Sequence, residues 1–176
     1  MTFPSGRALT ATDAAFSLQR AILLDKTPAF ILGQFGWTKD NVKDLVTAPD
    51  PETLKLQIPI ERAPSLVLNA LTSTVASVVD KEEAEAHAVD GDLGSAWLKT
   101  HTAGTGAYRL IDWKPKQAIA LEANPGYYRG VPSLKRIVLR HVPEAASQRL
   151  LLQKGDVDVA RDLTPDQIEA LQSDKN

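Results

Sequence analysis

The side chains best equipped for chemistry are three histidines, two closely spaced aspartate pairs and one glycine-rich turn. His87, His101 and His141 lie far apart along the chain, and none stands one helical turn from a second candidate ligand. The local spacing of a zinc motif is therefore missing. They read as a histidine on an exposed helix, one in a loop and one at a strand end. Asp90-Gly91-Asp92 and Asp156-Val157-Asp158 each bring two carboxylates together, but a calcium loop needs further oxygen ligands and a terminal glutamate at set spacing. The first pair reads as solvated turn carboxylates and the second as punctuation between a helix and a strand. No metal and no cofactor is expected from these residues.

Gly104-Thr105-Gly106 could cradle an anion on consecutive backbone amides. A dinucleotide fingerprint would need a third glycine where Arg109 stands, and a nucleoside-triphosphate loop would need Lys followed by Ser or Thr after the second glycine. What remains is a sharp turn that lets the chain approach something closely. No Gly-x-Ser-x-Gly elbow occurs, so no catalytic residue is assigned and no enzyme is expected. Phe30, Phe35 and Trp37 cluster around Gly33 and Gly36. Large rings beside glycine-loosened backbone suit a wall against which a ligand packs; they suit equally a local core under a loop.

These residues need elements to position them. Thr10 and Asp13 form a capping-box variant that opens a helix over 11–24, with Ala11, Ala15, Leu18 and Ile22 at helical spacing and a stop at Asp25-Lys26-Thr27-Pro28. Leu54, Leu56 and Ile58 alternate with polar residues as in a half-buried strand. Pro64 suits the first turn of a helix through Leu71; 82–88 and 94–100 are further short helices. After Thr102-Ala103-Gly104-Thr105-Gly106, the segments 108–113 and 118–122 read as two strands joined at Lys114-Pro115-Lys116. A buried strand over 134–142, a helix over 143–154 and a strand over 157–160 would then form a crossover between parallel strands. Thr164-Pro165-Asp166-Gln167 opens a last helix, and residues 172–176 read as a frayed end.

Composition narrows the class. With 43% apolar and 24% charged residues the 176-residue chain is that of a folded domain rather than a disordered tail. Twenty basic residues scattered among 22 acidic ones give a net charge of -2. That leaves no footprint for nucleic acid or anionic lipid. No apolar run is long enough to span a membrane, the N-terminus has no signal-peptide pattern, and cysteine is absent.

Four stretches, taken in order, carry a resemblance. They are Leu9-Thr10-Ala11-Thr12-Asp13-Ala14-Ala15-Phe16-Ser17-Leu18-Gln19-Arg20 with the preceding Phe3-Pro4-Ser5-Gly6-Arg7-Ala8; Gly104-Thr105-Gly106-Ala107-Tyr108-Arg109-Leu110; Leu121-Glu122-Ala123-Asn124-Pro125-Gly126-Tyr127-Tyr128-Arg129-Gly130; and Leu151-Leu152-Gln153-Lys154-Gly155-Asp156-Val157-Asp158-Val159-Ala160. Together they resemble the family 5 extracellular solute-binding proteins of ABC transporters, which include the oligopeptide- and dipeptide-binding proteins.

The resemblance implies a mixed α/β, periplasmic-binding-protein-like fold of type II, of which this chain would be much of lobe I. Residues 1–98 would form the smaller α+β subdomain, and 99–176 part of the main mixed sheet. It further implies an extracytoplasmic or periplasmic carrier, monomeric at full length, that captures a peptide or similar small solute between two lobes and delivers it to membrane permease subunits. The alternative on the same fold is a ligand-sensing module of a regulatory protein. By the same resemblance the ligand-binding residues would be Phe35 and Gly36 in the aromatic wall and Ala103, Gly104, Thr105 and Gly106 at the approach to the hinge. Ala107 stands where the family often has proline. Asp13 reads as a helix cap, and Arg20 as a member of a surface or subdomain ion pair.

Overall fold

In the computed structural model of the chain, which describes residues 1–173, helix α1 runs Ala11–Leu24. Its start is fixed by the expected cap: Asp13 Oδ2 accepts from the backbone N–H and the hydroxyl of Thr10, both at 2.9 Å. Its end is a left-handed turn at Asp25, φ 51°, whose N–H donates to the Ala21 carbonyl. Ala11, Ala15, Leu18 and Ile22 are buried along one stripe, as their spacing requires.

Around that stripe gathers the core. The short helices α2 (Phe30–Gly33) and α3 (Val42–Leu45) contribute Leu32 and Val42, and the two-residue strand β1 (Val46–Thr47) contributes Val46. These three and Phe35 are fully buried, each worth about 1.5–3 kcal/mol relative to exposure. Strand β1 pairs antiparallel with β2 (Lys55–Leu56), Val46 opposite Leu56. The alternation of Leu54, Leu56 and Ile58 survives as half-buried apolar contacts on the core, although only two residues hydrogen-bond as a strand. Helix α4 (Pro64–Leu71) begins on Pro64 as expected and supplies Ala70. Helix α5 (Lys81–Ala86) is capped by Asp80, which accepts from the amides of Glu82 and Glu83.

The segment expected as a helix over 94–100 is instead a looped stretch ending in one 3-10 turn, Trp97–Lys99. Asp92 explains the difference. Its carboxylate accepts from the amides of Val89, Gly94 and Ala96 at 2.7–3.0 Å, a side-chain competitor for the backbone bonds of a helix.

Strands β3 (Tyr108–Lys114), β4 (Ala118–Ala123) and β5 (Arg136–Arg140) form a sheet in that order. Their bonding is antiparallel: Gln117 N–H to Lys114 O, Asn124 N–H to Ala107 O, Ala123 N–H to Lys135 O and His141 N–H to Gln117 O. The expected buried strand is thus shorter than 134–142 and largely open, Val138 and Leu139 being 53% and 49% exposed. Helix α6 (Ala145–Gln153) follows. Val157–Ala160 is not a strand, so the expected parallel crossover does not form. With Gly155 at φ 74° and Asp162 at φ 60°, the chain turns twice around that segment. Helix α7 (Pro165–Ser173) closes the described chain, with Gln167 Oε1 accepting from the Thr164 amide at 3.2 Å. Of the end expected to fray, residues 174–176 lie outside the described residues.

By packing the chain divides into two compact units. One comprises Met1–Ile111 with Leu121–Ile137; the other comprises Asp112–Ala120 with the chain from Val138 on. Within the second, α6 and α7 pack on each other, and Gln148 joins the Val142 carbonyl to the Arg161 amide.

Candidate ligand-binding site

The glycine-rich turn borders a cavity of about 390 Å³ in the first unit, edged by Ala103 and Gly104, Thr74 and Val78, and Ser17 and His101. One backbone and two side-chain hydrogen bonds anchor this edge. The Asp80 N–H donates to Ala103 O at 2.7 Å, Thr102 Oγ1 accepts from the Leu110 amide at 2.7 Å, and the buried Asn124 donates through Nδ2 to Gly106 O at 2.9 Å. On the opposite wall, Ser17 Oγ donates to Asp13 O at 2.7 Å and accepts from the Val79 amide at 3.0 Å.

Gly104 and Gly106 are informative for what does not constrain them. Neither has positive φ, and a Cβ added to either would make only ordinary contacts, 3.6 Å from Val78 O and 3.8 Å from Tyr108 O. The packing of this chain does not require glycine there. Bare backbone that the fold does not use is available for close approach by something else.

The residues of the aromatic wall fall differently. Phe35 is fully buried, edge-on to Trp37 at 5.2 Å between centroids, and Trp37 Nε1 donates to Gln57 O at 2.8 Å. Gly36, at φ 84°, is half-buried; a Cβ there would come within 2.8 Å of the Pro59 ring. Phe30, by contrast, is 70% exposed. Thr105 is half-buried beside Gly104.

Three residues enter the site's surroundings without a sequence signal. Trp97 is sandwiched between two imidazoles, His87 at 4.3 Å and 12° and His101 at 4.6 Å and 5°. Each histidine places Nδ1 near a backbone carbonyl, Glu83 O at 2.9 Å and Trp97 O at 3.0 Å. A carbonyl only accepts, so Nδ1 carries the proton in His87, whereas His101 Nδ1 also stands 3.0 Å from the Thr100 hydroxyl, which can donate to it or accept from it. The histidines meet because positive φ at Asp90, Gly91, Leu93 and Gly94 folds the intervening loop back, a reversal that no periodicity announces.

Electrostatics near α1 also depart from expectation in one respect. Asp13 caps the helix as expected and is buried against the guanidinium of Arg7. Burial would push its carboxyl up, but hydrogen bonds from Arg7, Thr10 and Lys81 together hold it below the ordinary aspartate range. Arg20 is not in an ion pair: it donates through Nε to Leu93 O at 2.7 Å, and among the described residues no carboxylate lies within 4.0 Å of it. Arg7, nearer the N-terminus, holds the buried carboxylate instead. Among the described residues no three of His, Asp or Glu converge as metal ligands, and no helix is long and apolar enough to cross a membrane.

This architecture recurs in solved structures. A periplasmic binding protein DppA from Helicobacter pylori, in complex with the peptide STSA, superposes with a TM-score of 0.77 at 20% identity, covering 100% of this chain and 35% of that one. The unliganded open form of the murein tripeptide binding protein MppA matches with a TM-score of 0.77 at 21% identity, over 99% and 35% of the two chains. In sequence, the chain is 32% identical over 173 residues to the probable D,D-dipeptide-binding periplasmic protein DdpA of Escherichia coli K12, covering 98% of this chain and 31% of that protein. It is 28% identical over 166 residues to the oligopeptide-binding protein AppA of Bacillus subtilis, covering 89% and 27%. The chain thus spans about a third of the length of these relatives. The mixed α/β fold is that of the peptide-binding periplasmic proteins. With the model for the middle region of the bacterial extracellular solute-binding proteins, family 5, matching residues 1–176, the chain belongs to that family.

Proposed function

We propose that this chain is part of the solute-binding component of an ABC importer, which captures a peptide or similar small solute outside the cytoplasm and presents it to membrane permease subunits. No bond is broken in this role. The protein supplies affinity and a closable shape, and the solute is released unchanged. Residues 1–98 would serve as the smaller subdomain of lobe I and 99–176 as part of its main sheet.

The observation that carries the reading is the pair Gly104 and Gly106, whose missing side chains the fold does not need, in a turn whose Gly104 borders a cavity, in a family of solute binders. Ala103, Gly104, Thr105 and Gly106 would present backbone to an extended ligand, as in strand addition. Phe35 would act from behind, its buried ring holding the Gly36 turn in place, so that Gly36 rather than Phe35 offers the surface.

The test is made in the full-length protein that carries this region. Gly104→Leu is expected to weaken binding of a peptide mixture, followed by mass spectrometry of retained peptides and then by calorimetry on the best binder, by about tenfold or more. Its urea midpoint should stay near wild type, since a Cβ there makes only an ordinary contact, 3.6 Å from Val78 O. Unchanged peptide binding in Gly104→Leu and Gly106→Leu would remove the turn from the site. Time-dependent cleavage of the peptides would overturn the carrier role.

A further inference from the structure

Arg20 presents an unusual electrostatic position. The guanidinium is partly buried on α1, one N–H is spent on the Leu93 carbonyl, and among the described residues no carboxylate comes within 4.0 Å. Asp92 is the carboxylate whose charge reaches it, but Asp92 is engaged with the amides of Val89, Gly94 and Ala96. A cation removed from water without a counter-charge is costly.

Arg20 lines a second cavity of about 390 Å³, and two further cations, Lys43 and Lys81, stand at the same cavity. One carboxylate, Glu85, faces them, 3.8 Å from Lys81 Nζ. Three positive groups against one negative is a local reversal of sign in a chain whose net charge is -2. The same cavity has an apolar side made by Ala15, Phe16 and Leu23 of α1. A walled cluster of one charge focuses the field on the cavity, and a guanidinium beside ammonium groups matches the planar oxygens of a carboxylate.

We propose that this cleft binds a small organic anion, a carboxylate on a short apolar chain, with Arg20 and Lys43 holding the carboxylate and Phe16 and Leu23 the chain. Glu85 takes up the charge of Lys81, which leaves Arg20 and Lys43 as the cations free to act. Arg20 borders both this cleft and the cavity at the glycine-rich turn, whereas Lys43, Phe16 and Leu23 border only this one, so Lys43→Glu is the change that reads this site apart from that cavity.

The experiment titrates octanoate, and separately octanol, into the full-length protein that carries this region, labelled for amide NMR. Octanoate is expected to shift the amides of Ala15, Phe16 and Leu23 saturably, with octanol producing no saturable shift. Arg20→Gln should weaken octanoate about tenfold, the scale of losing one charge-assisted contact. Lys43 is exposed and outside the core, so Lys43→Glu keeps the fold and should also weaken binding severalfold. Equal binding of octanol and octanoate, or octanoate affinity unchanged in Lys43→Glu and Arg20→Gln, overturns the proposal. Loss of peptide binding at Gly104 with octanoate binding intact would separate this site from the proposed solute site.

Discussion

Asp13 and Asp80, each 1% exposed and at the starts of different helices, share the single guanidinium of Arg7. Two buried negative charges are met by one positive one, and backbone and hydroxyl donors make up the difference. Lys81 N–H reaches Asp13 at 3.1 Å, Ser5 Oγ reaches Asp80 at 2.6 Å, and Glu82 N–H reaches Asp80 at 3.1 Å. The node ties the N-terminal turn to the starts of α1 and α5. The proposed solute edge hangs from it, since the Asp80 amide is bonded to Ala103 O.

Removing the guanidinium should therefore be severe. Arg7→Met leaves two buried carboxylates facing each other without a counter-charge, a change expected to cost about 3–5 kcal/mol. Urea denaturation measures it, and Arg7→Lys should recover only part, because one ammonium cannot span both carboxylates as the planar fork does. Arg7→Met combined with Asp80→Asn should cost less than the two single changes added together, the signature of a coupled pair.

The same node sets the acid limit of the fold. For Asp13 and for Asp80, burial pushes the carboxyl up, but hydrogen bonds outweigh it, from Arg7 foremost at Asp13 and from Ser5 and Arg7 at Asp80, so both sit below their unfolded value. A depressed folded pKa contributes stability above the unfolded value of about 3.9 and loses it as pH falls toward the folded value. Urea midpoints should thus change little between about pH 7 and 5 and fall steeply below about pH 4. Asp13→Asn should flatten that acid slope while lowering the midpoint at neutral pH.

Much of this framework was legible locally. The Thr10 and Asp13 cap, the apolar stripe of α1, Pro64 at the start of α4 and the Gln167 cap of α7 are each written within a few residues, and the chain obeys them. Relationships between distant residues were not legible. Arg7 and Asp80 are 73 positions apart, and nothing in either neighbourhood prefers this partner, so the sequence points to Arg20 as the ion-pair member and not to Arg7. The apolar run around β5 has the pattern of a strand covered on both faces, whereas this chain leaves Val138 and Leu139 largely open. At the candidate site, glycine itself was readable, but whether the fold or an external partner needs it depends on Val78 and Tyr108, which only packing brings near.

The stack of His87, Trp97 and His101 makes a separate prediction about the wall beside that site. Each aromatic pair is worth about 0.5–1.5 kcal/mol beyond burial. His101→Ala should cost about one such pair and loosen the Thr102–Gly104 edge, seen as faster amide exchange at Leu110, whose N–H depends on Thr102. His101→Phe keeps a stacking ring and should restore both stability and protection. Trp97→Ala removes both pairs at once and should cost more than His87→Ala and His101→Ala separately.

Among the glycines, Gly94 should be the least replaceable. Its φ of 72° is costly for any residue with a Cβ, by about 1–2 kcal/mol. A Cβ there would also lie 2.4 Å from Ala84 O and 3.0 Å from Ala84 Cα, backbone of α5 that cannot turn aside as a side chain can. Gly155, at φ 74°, faces open space, so Gly155→Ala isolates the backbone cost alone. Gly94→Ala should exceed it by about 2 kcal/mol or more, the scale of overpacking a closed site. Thermal unfolding of the two variants side by side measures the difference. Equal losses would mean that α5 yields at Ala84, and the loop that brings Trp97 between its histidines would then be less firmly seated than the close contact at Gly94 requires.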